Sequence, residues 1–304
     1  MKLQRIDDGK MTSKYDTALN LYNTRLKDED AEKAVKAILE KVSENNTNDV
    51  KRFLFSTIEI TSLTVTDNED SILALTEKIN DFTEENPTFP HPAAICVYPR
   101  FAKIVSESLE ADGVEITCVA GGFPSSQTFP EVKTIETSLA LKDGATEIDI
   151  VLPVGFFLAG DYEQVCDEIE EAKAIVGEES NLKVILETGA LKTAENIKKA
   201  AILSMYSGAD FIKTSTGKIE VSATPMAVYV MCQAIKEYFD TTGRKVGIKI
   251  AGGVRTTEQA VAYYTIVKEV LGKEWLYTEF FRIGASSLAN NILTDLTGKT
   301  VHLF

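Results

Sequence analysis

Short apolar runs recur along the chain from about residue 53 onward, and each is followed by a polar loop and an amphipathic segment. The runs are nearly continuous in Val, Ile, Leu and Phe, which is typical of parallel strands covered on both faces. Glycine often stands just before the next run, where a helix would end. The pattern predicts eight strands, over FSTIEI (Phe55–Ile60), AAICVY (Ala93–Tyr98), EITCVA (Glu115–Ala120), TEIDIVL (Thr146–Leu152), LKVILE (Leu182–Glu187), ADFIK (Ala209–Lys213), VGIKI (Val246–Ile250) and FFRIG (Phe280–Gly284).

Helix signals occupy the segments between these runs. Asp161 stands three residues before Gln164, and Thr256 stands three residues before Gln259. Both spacings are typical of a helix N-terminus with a capping box. An apolar stripe at helical spacing begins at Val165, so the segments between strands are predicted to be helices with one face on a core.

Eight alternating strand–helix units over about 250 residues match a (β/α)8 TIM barrel in number and length. An open doubly wound sheet is the alternative, but it usually carries a glycine-rich phosphate loop after an early strand, and neither GxGxxG nor GxxxxGK[ST] occurs. The sequence predicts a barrel with a short C-terminal tail over 53–304. An N-terminal helical extension is predicted over 1–52, with a helix at Asp28–Ser43.

The charge and amino-acid composition of the chain make several kinds of partner and site improbable. The formal net charge of −14 makes a nucleic-acid partner improbable, because phosphate backbones are held by clustered Lys and Arg. No apolar run is long enough to span a bilayer, and no secretory signal is recognised, so we expect no membrane partner. Four scattered cysteines without a CxxC motif, and only two histidines, indicate a reduced cytoplasmic protein without a metal site. The sequence leaves open whether the protein is a homo-oligomer.

Two of the predicted strands carry a lysine near the end at which a barrel places its catalytic groups. Lys213 ends the sixth strand, Lys249 lies near the end of the seventh, and Asp149 lies in the fourth. A single lysine at a strand end is usually a solvated charge. Two lysines on adjacent strands, with apolar neighbours and a carboxylate available, favour a functional site.

Amine chemistry explains why two lysines would be paired. A free lysine has a pKa of about 10.4, so it is almost entirely protonated at neutral pH and cannot attack a carbonyl group. A second cation in a site poor in water disfavours that protonation and exposes the nucleophilic amine. The pairing therefore suits Schiff-base catalysis, with a carboxylate moving protons through a water molecule.

Glycine and serine follow the last two predicted strands, and loops seven and eight are the usual phosphate site in this architecture. The backbone N–H groups of such loops, with a helix N-terminus, hold an anion. The loop after the sixth strand could close the same pocket. The residues at issue are Gly252 and Gly253 after the seventh strand, Gly284, Ala285, Ser286 and Ser287 after the eighth, and Thr216, Gly217 and Lys218 after the sixth.

Six stretches together resemble the 2-deoxy-D-ribose-5-phosphate aldolase family, in the right order from about residue 53 to 292. They are AAICVYPRF (93–101), EIDIVLP (147–153), LKVILETG (182–189), DFIKTSTGK (210–218), GIKIAGGVRT (247–256) and FRIGASSL (281–288). The resemblance implies a cytoplasmic class I aldolase, a lyase on a TIM barrel that needs no metal or other cofactor. It implies reversible cleavage of deoxyribose 5-phosphate to glyceraldehyde 3-phosphate and acetaldehyde, in deoxynucleotide breakdown. Lys213 would form the Schiff base, Lys249 would tune it, and Asp149 would relay protons. The substrate phosphate would be held by Gly217, Lys218, Gly252, Gly253, Ser286 and Ser287.

The chain departs from the family pattern at three places. Ile250 stands where many members have proline, Glu59 stands where the first strand often carries aspartate, and the chain ends at Phe304 where some members have tyrosine. Glu59 is expected to contact substrate. Alternation along the second strand places Cys96 near its C-terminal end, where an inward-facing thiol would lie near the aldehyde.

Two other functions fit the same residues. One is another Schiff-base aldolase or transaldolase acting on a different sugar phosphate, which a screen of acetaldehyde against dihydroxyacetone as donor would separate. The other is a sugar-phosphate-binding barrel without turnover. The retained set of Lys213, Lys249 and Asp149 argues against the second.

Overall fold

The computed structural model describes residues 14–304, and it forms a closed eight-stranded parallel barrel. Each strand pairs with its two sequence neighbours, and the first strand pairs with the last to close the ring. The strands are β1 (Ile58–Thr61), β2 (Ala94–Val97), β3 (Glu115–Ala120), β4 (Glu147–Val151), β5 (Asn181–Ile185), β6 (Phe211–Lys213), β7 (Gly247–Ala251) and β8 (Phe281–Gly284). The predicted TIM barrel is confirmed.

Helices surround the barrel and cover its outer face. Four precede the barrel: α1 (Lys14–Leu19), α2 (Asp28–Leu39), α3 (Val42–Asn45) and α4 (Asn48–Ser56). The others are α5 (Glu69–Glu85), α6 (Ala102–Ser108), α7 (Pro130–Lys142), α8 (Val154–Ala159), α9 (Tyr162–Val176), α10 (Thr188–Leu191), α11 (Ala194–Tyr206), α12 (Pro225–Thr242), α13 (Thr257–Leu271) and α14 (Ser287–Thr297). Apolar side chains from the helices and the outward-facing strand positions form the main core.

Of the two capping boxes predicted from the sequence, one forms in full and the other in half. The side chain of Thr256 accepts from the backbone N of Gln259, and the Gln259 side chain accepts in return from the backbone N of Thr256, which completes a capping box at α13. At α9, Asp161 accepts from the backbone N of Gln164. There the Gln164 side chain donates to Glu168 instead, so the box is half formed.

The first strand was predicted to begin at Phe55, and this start is wrong. Phe55 and Ser56 are the last residues of α4, whose N-terminus is capped by Thr47. Phe55 is fully buried, as a strand residue would be, because α4 lies against the barrel. Burial without periodicity does not distinguish the last turn of a packed helix from the start of a strand.

The helices before the barrel are anchored to its outer layer. The Asn45 side chain donates to Thr265 Oγ1 at 3.1 Å and accepts from Lys268 Nζ at 2.6 Å, both on α13. Asp28 Oδ1 accepts from the backbone N of Ala194 at 2.7 Å, at the start of α11. The predicted boundary after residue 52 lies within α4, and the division into extension and barrel stays a prediction. Residues 1–13 of that extension lie outside the described residues.

None of the helices within residues 14–304 has the length and apolar character required to cross a membrane.

Candidate active site

Lys213 and Lys249 lie side by side inside the barrel. Lys213 is the last residue of β6, Lys249 is the third residue of β7, and the two are register partners across the parallel pair. Lys249 is fully buried and Lys213 is 3% exposed. The sequence placed both lysines near strand ends, and barrel closure brings them onto one wall.

Asp149 joins the two lysines. Its Oδ2 accepts a hydrogen bond from Lys213 Nζ at 2.7 Å and another from Lys249 Nζ at 2.7 Å. Burial alone would raise the pKa of Asp149, but the ammonium groups of Lys213, Lys249 and Lys183 outweigh it and hold the pKa well below its usual range. Asp149 is therefore an anion bound between two amines. Among the described residues, its Oδ1 accepts no hydrogen bond, although Lys183 Nζ lies 3.4 Å away.

Glu59 is the second partner of Lys249. Its Oε2 accepts a short hydrogen bond from Lys249 Nζ, across the barrel from β1 to β7. Burial would lower the pKa of Lys249, but the carboxylates of Asp149 and Glu59 raise it well above the ordinary lysine value. Lys249 is thus a permanent cation, held by two carboxylates in a water-poor interior.

A deeper layer of charges, which sequence reasoning missed, supports this pair. Lys183 Nζ donates to Glu147 Oε2 at 2.5 Å, and Arg282 Nη2 donates to Glu147 Oε1 at 3.3 Å. Burial would raise the pKa of Glu147, but Lys183 and Arg282 lower it to about 2. Lys183 also lies 3.6 Å from Glu59 Oε1, so the deep layer is continuous with the upper one.

The two layers form one charge cluster in the barrel interior. Its members are Glu59, Glu147, Asp149, Lys183, Lys213, Lys249 and Arg282. Four basic side chains meet three carboxylates, so the fully ionised cluster carries one excess positive charge. Buried excess charge is costly.

Cys96 faces the same interior. Its Sγ and one oxygen from each of Glu59 and Asp149 lie within 4.8 Å of one another. Burial raises the pKa of the Cys96 thiol. These three ligand atoms are of a type that could hold a metal ion, but Lys249 already binds both carboxylates. Cys96 also packs with Leu63 and Val119 in a small apolar cluster beside the lysines.

A cavity of about 280 Å³ opens above Lys213 at the C-terminal ends of the strands. Lys213 is the one member of the charge cluster, among the residues that the structure describes, that lines this cavity. The six residues expected to bind phosphate all line it: Gly217, Lys218, Gly252, Gly253, Ser286 and Ser287. Exposed Arg255 also lines it, although the sequence reasoning did not single it out.

Two glycines bring the loops after β6 and β7 into close contact. Gly217 has φ +74° and Gly252 has φ +89°, both in the left-handed region. A Cβ on Gly252 would lie 2.6 Å from the Cβ of Ser222 and 3.3 Å from the Cα of Gly217. Any larger residue at 252 would therefore push the two loops apart and open this wall of the cavity.

The serines and Lys218 complete the rim of the cavity. Ser287 is the first residue of α14, whose N-terminus borders the cavity. Ser286 Oγ donates to the carbonyl of Thr61 at 2.7 Å and accepts from the Thr61 amide at 3.0 Å, which ties the loop after β8 to β1. Lys218 Nζ donates to the carbonyl of Leu63 in a short hydrogen bond. A helix N-terminus and a lysine at one rim create a positive field in an acidic protein.

A family model described as DeoC/LacD family aldolase matches residues 63–290, which is most of the barrel. The chain belongs to the DeoC/LacD aldolase family. It is 43% identical over 241 residues to a putative deoxyribose-phosphate aldolase of Caenorhabditis elegans, covering 79% of each chain. It is 46% identical over 202 residues to deoxyribose-phosphate aldolase of Homo sapiens, covering 66% of this chain and 63% of the human one.

A solved structure supports the same relationship. The "unique tetrameric structure" of deoxyribose phosphate aldolase from Aeropyrum pernix is 25% identical, with a TM-score of 0.65. The match covers 85% of this chain and 96% of that one.

The structure places two of the positions at which the sequence was expected to depart from the family pattern. Ile250 is fully buried and pairs in register with Ile283 of β8. The C-terminal tail packs on the outside of the barrel, where the Phe304 ring lies 5.8 Å from that of Phe82. Asn290 holds this tail, because its Oδ1 accepts from the backbone N of Leu303 at 2.8 Å. In this arrangement the tail takes no part in the cavity wall.

Proposed function

We propose that this protein is a class I deoxyribose-phosphate aldolase, which cleaves 2-deoxy-D-ribose 5-phosphate to glyceraldehyde 3-phosphate and acetaldehyde. The observation that carries the proposal is one carboxylate oxygen, Asp149 Oδ2, shared by two buried lysines below a cavity with a cationic rim. An amine at the floor supplies the nucleophile. The rim of the cavity, which is suited to an anion, binds the phosphate.

Lys213 is the nucleophile in this proposal and Lys249 the cation beside it. Lys213 lines the cavity, whereas Lys249 lies below it with Glu59 and Asp149 as partners. Each lysine nitrogen lies 2.7 Å from the same oxygen, so the two nitrogens are at most twice that distance apart. At such a separation Lys249 places a positive charge directly beside the amine of Lys213.

The reaction then follows from these positions. The Lys213 amine adds to the aldehyde carbon of the open-chain sugar, and loss of water gives an iminium. A base removes the proton of the 3-hydroxyl, the bond between carbons 2 and 3 breaks, and its electron pair moves into the iminium to give an enamine. Glyceraldehyde 3-phosphate leaves, carbon 2 takes up a proton, and water releases acetaldehyde and free Lys213. Asp149, which contacts the Lys213 nitrogen, relays these protons.

Recognition of the phosphate gives the first prediction. We expect kcat/KM for deoxyribose 5-phosphate to exceed that for deoxyribose by roughly 30- to 1,000-fold, since hydrogen bonds to a charged group contribute about 1.5–3 kcal/mol each. Steady-state kinetics with both sugars measures this ratio. Lys218→Met is the matched variant, because it removes a cation from the rim and leaves Lys213 in place. Equal kcat/KM values for the two sugars would refute this use of the cavity.

The free, buried state of the cysteines is consistent with a reducing compartment. All four, Cys96, Cys118, Cys166 and Cys232, are free and buried, as is usual for proteins of the cytosol. This supports a cytoplasmic location as part of the proposal.

The exposed face of α7 supports self-association into a homo-oligomer. Val132, Ile135 and Leu139 stand at helical spacing on one face and are 46%, 59% and 54% exposed, where a barrel helix normally presents polar residues to water. Glu131 begins this face and Lys142 ends it. Two copies of α7 packed antiparallel across a two-fold axis would place each Glu131 near the other copy's Lys142, with the apolar residues between them.

The α7 proposal predicts a change in mass in solution. We expect the double variant Ile135→Glu, Leu139→Glu to sediment at a lower mass than the unmodified protein, because two buried carboxylates from each copy would face those of the other copy across the axis. Analytical ultracentrifugation at matched concentrations measures the mass. Tyr277→Glu is the control, since Tyr277 is a similarly exposed apolar residue, at 59%, outside α7. An unmodified protein that sediments as a monomer, or a double variant with unchanged mass, would contradict the proposal.

A further inference from the structure

Glu187 is a buried carboxylate that the reaction described above does not use. It lies two residues beyond the end of β5 and is 5% exposed. Its backbone has φ +55° and ψ +59°, the left-handed conformation that residues other than glycine rarely adopt. Such a conformation persists only where the surrounding contacts enforce it.

The contacts that enforce it come from the loop after β6. Glu187 Oε2 accepts from Thr216 Oγ1 at 2.5 Å, and Glu187 Oε1 accepts from the backbone N of Thr216 at 3.3 Å. Both carboxylate oxygens are therefore bound to one residue. Burial raises the pKa of Glu187, and these two hydrogen bonds with nearby Lys213 offset only part of that effect.

Thr216 links Glu187 to the turn that lines the cavity. Its Oγ1, which donates to Glu187, also accepts from the backbone N of Lys218 at 3.1 Å. Gly217 stands between them with φ +74°, so the turn is fixed at both of its ends. Thr216, Gly217 and Lys218 all line the cavity, whereas Glu187 does not.

The backbone around Glu187 holds the strand of the nucleophile as well. The amide of Leu186 donates to the carbonyl of Lys213 at 2.9 Å, and the amide of Thr188 donates to the carbonyl of Thr214 at 2.9 Å. These bonds on either side of Glu187 do not involve its side chain. Removing the carboxylate therefore releases the Thr216–Lys218 turn while the Lys213 end of the loop stays tied.

We propose that Glu187 is a positioning residue for substrate selection, which holds the Thr216–Lys218 turn where it can grip the phosphate of the sugar. The inference rests on the proposed function, because it assigns the phosphate to this cavity. Glu187 touches neither the reacting carbon nor the phosphate. Its effect is on the preference for phosphorylated over unphosphorylated sugar, and it leaves the amine chemistry at Lys213 in place.

The test compares two sugars and two positions. In Glu187→Ala we expect kcat/KM for deoxyribose 5-phosphate to fall by about tenfold or more, through a higher KM, while kcat/KM for deoxyribose changes by less than about threefold. Thr216→Val, which removes the bridging hydroxyl, should also lower kcat/KM for deoxyribose 5-phosphate by about tenfold or more, and Thr216→Ser should restore the unmodified value. The double variant Glu187→Ala, Thr216→Val should be no worse than either single variant, because both break one chain of hydrogen bonds.

Binding of inorganic phosphate, measured by calorimetry, separates this inference from the proposed reaction. Phosphate should bind the unmodified protein and bind Glu187→Ala about tenfold more weakly, whether or not either protein turns over sugar. An equal loss of kcat/KM for both sugars, unchanged phosphate affinity in Glu187→Ala, or additive losses in the double variant would each overturn the role. Absence of turnover in the unmodified protein, with the expected phosphate affinities, would instead count against the aldolase reaction alone.

Discussion

Lys213→Ala is expected to abolish turnover of deoxyribose 5-phosphate, with a loss of at least roughly four orders of magnitude in kcat. The variant removes the amine that lines the cavity, and Lys249 cannot replace it. Lys249 is fully buried, and its nitrogen is bound by Glu59 and Asp149. Coupled detection of released acetaldehyde measures the loss.

The control for this variant is another lysine in the same cavity wall. Lys218→Met also removes a cation beside the substrate, but it leaves the Lys213 amine and its bond to Asp149 in place. We expect it to raise KM for the phosphorylated sugar and to keep a measurable kcat. Turnover by Lys213→Ala within tenfold of that by Lys218→Met would contradict the assignment of the nucleophile.

Lys249→Leu is expected to lower activity at pH 7 by roughly a hundredfold or more and to move the pH optimum upward. Unit charges 5 Å apart interact by about 3 kcal/mol at an effective dielectric constant of about 20. With Lys249 removed, the fully ionised charge cluster has no excess positive charge. The Lys213 amine then lies beside Asp149 without the neighbouring positive charge of Lys249.

A pH–rate profile of kcat/KM tests the expected upward shift of the pH optimum, with thermal unfolding measured in parallel. Removing Lys249 takes away the cation that donates a hydrogen bond to both Glu59 and Asp149, so a lower melting temperature is expected as well. Lys249→Arg keeps the charge and is the matched control, with a profile close to the unmodified one. A profile for Lys249→Leu that falls in height without moving along the pH axis would show that Lys249 does not tune the amine.

The order and number of strands could be predicted because both faces of a parallel barrel strand are buried. Such strands are short, nearly continuous apolar runs, and their helices carry caps such as the one formed by Thr256 and Gln259. The start of the first strand could not be found in this way. Phe55 is fully buried in the last turn of α4, and burial alone does not reveal whether the backbone is helical.

Part of the site was accessible for a similar reason. A lysine inside an apolar strand is unusual enough to be noticed, and this signal identified Lys213 and Lys249. Lys183 in LKVILE carries the same signal, and Glu147 stands two residues before Asp149, on the same face of β4. Both could have been found by applying strand alternation to every buried charge.

The pairing of these charges could not be predicted. Glu59 lies on β1 and Lys249 on β7, and they meet only because β1 pairs with β8 to close the ring. The excess of one positive charge also emerges only when all seven side chains are known to share one interior. Strand order alone does not give the register that decides which ammonium group reaches which carboxylate.

The central claim is that the Lys213 amine forms an imine with acetaldehyde. Borohydride reduction of the unmodified protein in the presence of acetaldehyde, followed by peptide mass mapping, tests it most directly. We expect one ethyl group, on Lys213, and none on that peptide when acetaldehyde or borohydride is omitted. An ethyl group on Lys249 with Lys213 unmodified, or no adduct at either lysine, would contradict it.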